Sequence, residues 1–339
     1  MLQITLDQPG QFSAGEGAEP ASLPGHALVR VHRIGVCGTD LHAFAGKQPF
    51  FSYPRILGHE LGVEVIDPGD DPHGLQRGDR CSVEPYLNCG RCIACRRGKP
   101  NCCTELKVLG VHVDGGMRPF LRVPARKLHR SATLDYDQLA LIETLGIGAH
   151  AVERAEVKKN DFVLVIGAGP IGLSVIQFVL VTGATLAVMD VSESRLAFCR
   201  SQLGVGHTLA PGPDAPAQLK ATGGGDLPTI VIDATGNAKS MAGTFESVAH
   251  GGRIVFVGLF QGDVTFNDPN FHRRELTLCA SRNAPPDTFR DIIRLVESGR
   301  VNTRPWITHR FALAETPVVF PASIAGNPAV LKAMIEVPD

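Results

Sequence analysis

The chain has 339 residues, enough for about two domains of ordinary size. Hydrophobic residues make up 44% and charged residues 20%, with a net charge of −1. Neither intrinsic disorder nor a basic surface able to neutralise a phosphate backbone or anionic membrane fits these values, so nucleic-acid binding is disfavoured as the main activity. The opening residues Met1 to Asp7 carry neither a basic leader nor an apolar core, and the nine cysteines are odd in number and clustered. A cytoplasmic protein whose thiols serve as ligands, with no disulfide framework, is the expectation.

Up to about residue 140 the chain reads as an irregular β domain. Strand-like runs at Ala27–Val36, Leu61–Ile66 and Gly78–Val83 stand between prolines and glycines. Two groups of metal-type residues fall in this part. Cys89, Cys92, Cys95 and Cys103 have the spacing C-x2-C-x2-C-x7-C, which suits four thiolates around a tetrahedral zinc. Bacterial ferredoxins begin with the same C-x2-C-x2-C, but their next cysteine follows after three residues with proline behind it, so structural zinc is preferred. Spacing alone leaves Cys102 open as the fourth ligand. The second group is dispersed: Cys37-Gly38-Thr39-Asp40-Leu41-His42, then Gly58-His59-Glu60, then Glu143. A thiolate, an imidazole and a carboxylate would leave one tetrahedral position open, as catalytic zinc requires. Taken singly, Cys37 also reads as a small buried hydrophobe and His59 as a hydrogen-bonded core histidine.

From about Gln138 the pattern changes. A helix is expected over Gln138–Leu145, followed by alternating strands and helices from Phe162 to Ala280 that predict a doubly wound parallel sheet. Phe162–Met189 is free of charge for 28 residues, long enough to span a membrane, but its glycines fall where a strand–turn–helix–strand unit needs them. Gly167-Ala168-Gly169-Pro170-Ile171-Gly172 is a G-x-G-x-x-G run that follows the apolar strand and opens the helix. That context predicts a dinucleotide pyrophosphate at the helix N-terminus. Asp190 ends the next strand, where a carboxylate accepts from the adenosine ribose and repels a 2′-phosphate, so NAD is favoured over NADP; Arg195 nearby could soften the choice. Ala234-Thr235-Gly236 and Val257-Gly258-Leu259 follow later strands and are expected beside the nicotinamide half. After Ser281 an amphipathic helix is expected, with Phe289, Ile292, Ile293 and Val296 on its apolar face.

These motifs occur in one order over nearly the whole chain. Together they make the sequence resemble the zinc-dependent medium-chain alcohol dehydrogenases, in the branch that holds sorbitol and threonine dehydrogenases. The resemblance implies a chaperonin-10-like β catalytic domain over residues 1–145, with a zinc lobe at about 86–104. It implies a Rossmann NAD-binding domain over 146–281 and a return to the catalytic domain over 282–339. It also implies oxidation of a small-molecule alcohol, two zinc ions per chain, NAD, and a homodimer or homotetramer. Cys37, His59 and Glu143 become the expected catalytic zinc ligands, with Glu60 able to approach the metal. Thr39 is expected to take the substrate proton and pass it toward His42 and water, and Asp40 to bond the non-ligating nitrogen of His59. Relatives usually follow this glutamate with proline, where Thr144 stands here. Gln48–Arg55, Gly110–His112, Ser281–Asn283 and Thr308–Arg310 further resemble a bacterial sugar-acid group of that branch. This implies a hydroxylated acid oxidised at C5, with Arg55, Arg282 and Asn283 as substrate contacts. Gly115–Phe120 departs from that group and could change one substrate wall. The competing readings are a sorbitol- or threonine-type enzyme and a non-catalytic dinucleotide-binding protein; no ligand or relay residue is missing to favour the last.

Overall fold

The structure, a computed structural model, describes residues 1–49, 51–70 and 74–338. The chain divides into two compact units, Met1–Glu143 with Pro285–Asp339, and Thr144–Ala284.

In the first unit, strand His26–Gly35 alternates buried and half-buried residues and forms the middle of a sheet. It pairs antiparallel with Glu60–Asp67 on one side. Its other side takes Phe120–Pro124 along its first half and Lys332–Glu336 along its end. Among the described residues the sheet runs Ile307–Ala312, Lys332–Glu336, His26–Gly35, Glu60–Asp67, Arg80–Val83, Leu128–Arg130. Val29, Val31, Ile34, Leu61, Val63, Val65, Val123 and Ile335 fill its core without exposure. Register gathers the polar residues at one place. Gly35 lies opposite both Glu60 and Met334, so Cys37, His59 and Lys332 converge at one end of the sheet. A side chain at Gly35 would collide with Glu60, its Cβ falling 2.0 Å from Oε2. Beyond Arg80–Val83 the chain leaves the sheet through a two-residue strand, Tyr86–Leu87. This strand pairs with Lys107–Val108 and so closes the stem of the four-cysteine lobe.

The single helix expected over Gln138–Leu145 is two helices, Tyr136–Ala140 and Ile142–Ala155. Asp135 accepts from the Gln138 N–H at 2.8 Å and starts the first helix earlier than the apolar pattern indicates. The expected amphipathic helix spans Pro286–Glu297 and buries Phe289, Ile292, Ile293 and Val296.

The second unit is a parallel six-stranded sheet, ordered His207–Leu209, Thr185–Met189, Phe162–Ile166, Ile230–Asp233, Arg253–Phe256, Thr277–Ala280. Phe162–Ile166 is buried throughout and pairs with a parallel strand on each side, and a strand covered on both faces calls for an unbroken apolar run. Helix Pro170–Thr182 has proline in its first turn and ends on Gly183 in the left-handed conformation, φ 76°. The long uncharged stretch is thus strand, helix and strand. No helix among the described residues is long and apolar enough to cross a membrane.

Candidate active site

Cys37 is the residue before helix Gly38–Phe44, His59 is the residue before strand Glu60–Asp67, and Glu60 begins that strand. Sheet register brings donor atoms of Cys37, His59 and Glu60 within 4.8 Å of one another. Asp40 is fully buried; its Oδ2 accepts from the Cys37 N–H at 2.9 Å, and its Oδ1 lies 3.8 Å from His59 Nδ1. Neither His59 Nδ1 nor Asp40 Oδ1 has a hydrogen-bond partner, and both are buried. Burial works to lower the His59 pKa, but Cys37, Asp40 and Glu143 hold it well above the ordinary histidine value. A negative field strong enough to keep a proton on buried imidazole equally favours a divalent cation in its place. The donor set therefore fits zinc: one thiolate, one imidazole and one carboxylate, with a carboxylate behind the imidazole.

The carboxylate differs from expectation. Glu60, not Glu143, stands in the tight set with Cys37 and His59. Glu143 is buried close by and accepts a hydrogen bond from the Tyr86 hydroxyl. Burial raises the Glu143 pKa, against the pull of His59, and burial followed by the Glu143 charge raises that of Tyr86 well above the ordinary phenol. Glu60 in turn is held by Lys332, whose Nζ lies 2.6 Å from Oε1 and 2.5 Å from Oε2 and donates to the Val36 carbonyl at 3.1 Å. Burial alone would lower the Lys332 pKa, yet Glu60 and Cys37 leave it raised. Lys332 and Tyr86 are residues that sequence reasoning missed. A lone lysine inside the apolar run Ala329–Ile335 was the available signal for the first; Tyr86 carried none. Thr39 is half-buried on helix Gly38–Phe44 and His42 is exposed on it.

The second metal-type group is Cys89, Cys92, Cys95 and Cys103, with sulfurs also within 4.8 Å of one another. Backbone N–H groups point at the sulfurs: Cys89 to Cys103 at 3.3 Å, Cys92 to Cys89 at 3.4 Å and Glu105 to Cys103 at 3.4 Å. Such donors stabilise thiolates; backbone N–H groups of Cys95 and Thr104 lower the Cys92 thiol to about 5. Burial pushes Cys103 up to about 11. Cys103 completes the four, whereas Cys102 is exposed and outside them.

In the second unit the glycine-rich turn has the geometry that dinucleotide binding requires. Gly167 has φ 96°, and a Cβ at Gly172 would lie 1.7 Å from the Gly167 carbonyl oxygen. Gly169 precedes Pro170 and Ile171, so the free N–H groups of the helix start beside an open backbone. Asp190 is almost fully buried and accepts from Ala168 N–H at 2.6 Å and Ser192 N–H at 2.7 Å. The carboxylate thus fixes the turn itself. Arg195 reaches over the same turn, its Nη1 3.7 Å from where a Gly169 Cβ would stand. Asp233 receives the Thr235 N–H and hydroxyl at 2.9 and 2.7 Å and shapes the Ala234–Gly236 turn. Gly236 and Gly258 pack so closely that a Cβ on Gly258 would lie 2.2 Å from Gly236 N, which brings Val257–Leu259 against that turn.

The expected substrate contacts are divided between the two units. The Arg55 guanidinium is taken by Asp114 Oδ1 at 3.1 Å and Ser52 Oγ at 3.0 Å, within the first unit. Arg282 is exposed and Asn283 has φ 54°, both in the second unit. Phe50, within the Gln48–Arg55 segment, lies outside the described residues.

A sheet that seats a converging Cys–His–Glu set and a glycine-rich parallel sheet with an open helix N-terminus define a class of metal-dependent dehydrogenase. Residues 23–133 match the alcohol dehydrogenase GroES-like domain and residues 170–298 the zinc-binding dehydrogenase domain. The chain belongs to the zinc-type alcohol dehydrogenase family. It is 41% identical over 335 residues to L-galactonate-5-dehydrogenase of Escherichia coli, covering 99% of this chain and 98% of that protein. A solved Escherichia coli alcohol dehydrogenase complexed with NADH matches with a TM-score of 0.90 at 28% identity, covering 99% of both chains. A zinc-binding dehydrogenase of Sinorhizobium meliloti bound to NADP matches with a TM-score of 0.88 at 28% identity, covering 99% of this chain and 98% of that one.

Proposed function

We propose that the protein oxidises a secondary alcohol of a sugar acid, L-galactonate at C5 before all others, using NAD and a catalytic zinc. The observation that carries this reading is the converging Cys37–His59–Glu60 set, on a chain similar over its full length to a dehydrogenase of that sugar acid. The four segments that resemble a sugar-acid group in the sequence support the same substrate. Zinc, when bound, supplies the Lewis acid that makes a hydroxyl acidic near neutral pH, and NAD supplies the hydride acceptor. Cys37, His59 and a carboxylate, Glu143 or Glu60, hold the metal. Asp40, its Oδ1 3.8 Å from His59 Nδ1, faces the outer nitrogen of the ring and leaves the other to ligate. The Thr39 hydroxyl accepts the proton that the substrate loses while releasing its own toward the exposed His42 imidazole, which hands a proton to water. Cys89, Cys92, Cys95 and Cys103 hold a second, structural zinc, giving two per chain.

Residues 1–145 and 282–339 form the catalytic part and 146–281 the part that binds NAD. Gly167, Gly169 and Gly172 seat the pyrophosphate, and the Ala234–Gly236 and Val257–Leu259 turns line the nicotinamide half. Asp190 disfavours a 2′-phosphate. Arg282 and Arg55 are the guanidinium groups proposed for the substrate carboxylate, with Asn283 beside the first. The enzyme works in the cytoplasm as a homodimer or homotetramer.

Comparing kcat/KM for L-galactonate, sorbitol, L-threonine and ethanol tests the substrate. A site built to bond hydroxyls rejects analogues that lack them by about 10⁴-fold or more, so ethanol should be poor. If sorbitol or threonine outperforms every aldonate, the sugar-acid reading fails. Asp190→Ala should weaken NAD by about tenfold or more, since a hydrogen bond to a charged group contributes ~1.5–3 kcal/mol, and should narrow the preference over NADP. NADP reduced as efficiently as NAD by the unaltered protein overturns the role of Asp190.

A further inference from the structure

Two buried carboxylates lie beside Cys37 and His59, and the structure treats them differently. Both oxygens of Glu60 face the Lys332 ammonium, at 2.6 and 2.5 Å, so its charge is already spent on a full cation. Glu143 meets only a neutral donor, the Tyr86 hydroxyl, at Oε1. Its other oxygen has no such partner, and the charge of Glu143 is felt at His59. A carboxylate with one oxygen tied by a neutral hydrogen bond keeps its donor strength and loses its freedom to rotate. That is the condition of a metal ligand oriented from its outer side.

Tyr86 is in turn held from every side. It is almost fully buried on strand Tyr86–Leu87, whose partner Lys107–Val108 closes the stem of the four-cysteine lobe. Its ring meets Phe289 edge-on at 6.3 Å, and Phe289 stacks on His129 at 4.9 Å. His129 Nε2 lies 3.2 Å from Glu84, two residues before Tyr86 in the chain. The hydroxyl therefore points where the lobe stem and helix Pro286–Glu297 put it.

We infer that Tyr86 is a positioning residue for the catalytic metal, its hydroxyl orienting Glu143 so that the free carboxylate oxygen, not Glu60, completes the Cys37–His59 set. This rests on the reading of the site as a zinc centre. It also assigns Lys332 a role, to keep Glu60 occupied, so that removing Lys332 frees a competing ligand.

The test is metal affinity of the catalytic site, measured in the full chain by chelator competition with the four-cysteine site kept filled. Loss of such an outer partner typically weakens metal binding by about 10- to 100-fold, and that is the fall expected for Tyr86→Phe. The phenylalanine ring keeps the packing on Phe289, and an unchanged Tm checks that the fold is intact. With cobalt in place of zinc, the visible spectrum of Tyr86→Phe should change, a readout that loss of packing alone would not move. Glu143→Gln should weaken the metal at least as much, and the double variant no more than Glu143→Gln alone. Unchanged affinity and cobalt spectrum in Tyr86→Phe, with affinity lost in Glu143→Gln, overturns the role of Tyr86 and leaves the zinc reading standing. Unchanged affinity in Glu143→Gln overturns Glu143 as ligand, and Tyr86 with it. No metal bound at the site by the unaltered chain overturns the zinc reading itself.

Discussion

The four-cysteine lobe draws its donors from residues 89–103 and buries only Cys103, whereas Cys37 is separated in the chain from the adjacent pair His59 and Glu60, both of them buried. In the lobe, short turns aim backbone N–H groups at the sulfurs, and charged side chains stand in water, as with Arg91 and Glu105. At the dispersed set, the partners are side chains brought from separate elements: Asp40 behind His59, Lys332 on Glu60, and the Tyr86 hydroxyl on Glu143. A local site needs little besides its metal to be correct. A dispersed one depends on the whole sheet, and in exchange can tune each ligand separately.

The largest effects should separate the two by what fails. Cys37→Ser should abolish turnover and lower the zinc content from two to one, while the Tm hardly moves, because the sheet is built without that metal. Cys89→Ser should act on folding, since a structural zinc contributes folding free energy directly, of order 10 kcal/mol in small zinc domains. A marked drop in Tm together with loss of one zinc is the expected result. Full activity in Cys37→Ser, or one zinc in fully loaded protein, would break the comparison at its base.

Next in size is Lys332→Met. Removing one partner of a buried ion pair leaves the other charge unpaired and costs about 3–5 kcal/mol, read from denaturant unfolding of the metal-free protein. The equivalent cut at the lobe, Glu105→Gln opposite Arg91, should be near neutral because both groups stand in water. Equal losses from the two would mean that burial does not distinguish the sites.

The smallest effect concerns thiols outside both clusters. Burial pushes Cys81 and Cys199 up to about 12 from an ordinary 9.0. The folded state holds these protons more tightly than the unfolded chain. Their contribution is therefore intact below pH 9 and is lost as pH rises from 9 toward 12. The Tm should decline over that interval, and less in Cys199→Ala. At pH 8 only about one such thiol in 10⁴ is ionised, so alkylation of the folded protein should spare both in the mass spectrum.

Much of this was legible in the residues themselves. A four-cysteine lobe and a glycine-rich turn are local: their donors and their backbone demands lie within some fifteen residues, so spacing alone carries the geometry. The parallel sheet was equally plain, because strands buried on both faces must be apolar throughout. The helix break at Leu141 was not, since Asp135 caps the first helix outside the apolar pattern that marked it. The choice between Cys102 and Cys103 also needed coordinates, because adjacent residues share a spacing but not a direction: one sulfur points into the lobe and the other into solvent.

Residue types and their spacing already specify which chemistries the chain carries: thiolate, imidazole and carboxylate donors, a glycine turn for a dinucleotide, and a carboxylate at the end of the following strand. Only the tertiary structure decided how each donor is held. Gly35 opposite Glu60 and Met334 brings Lys332 onto Glu60 across some 270 residues of chain, and the lobe stem brings Tyr86 onto Glu143. Likewise, only the fold showed the Arg55 guanidinium engaged by Asp114 and the Asp190 carboxylate engaged by its own turn. A residue's chemistry is a property of its type and can be read in one dimension. Its partner is a property of register and burial, which hydrogen bonding and apolar packing set across the whole sheet at once.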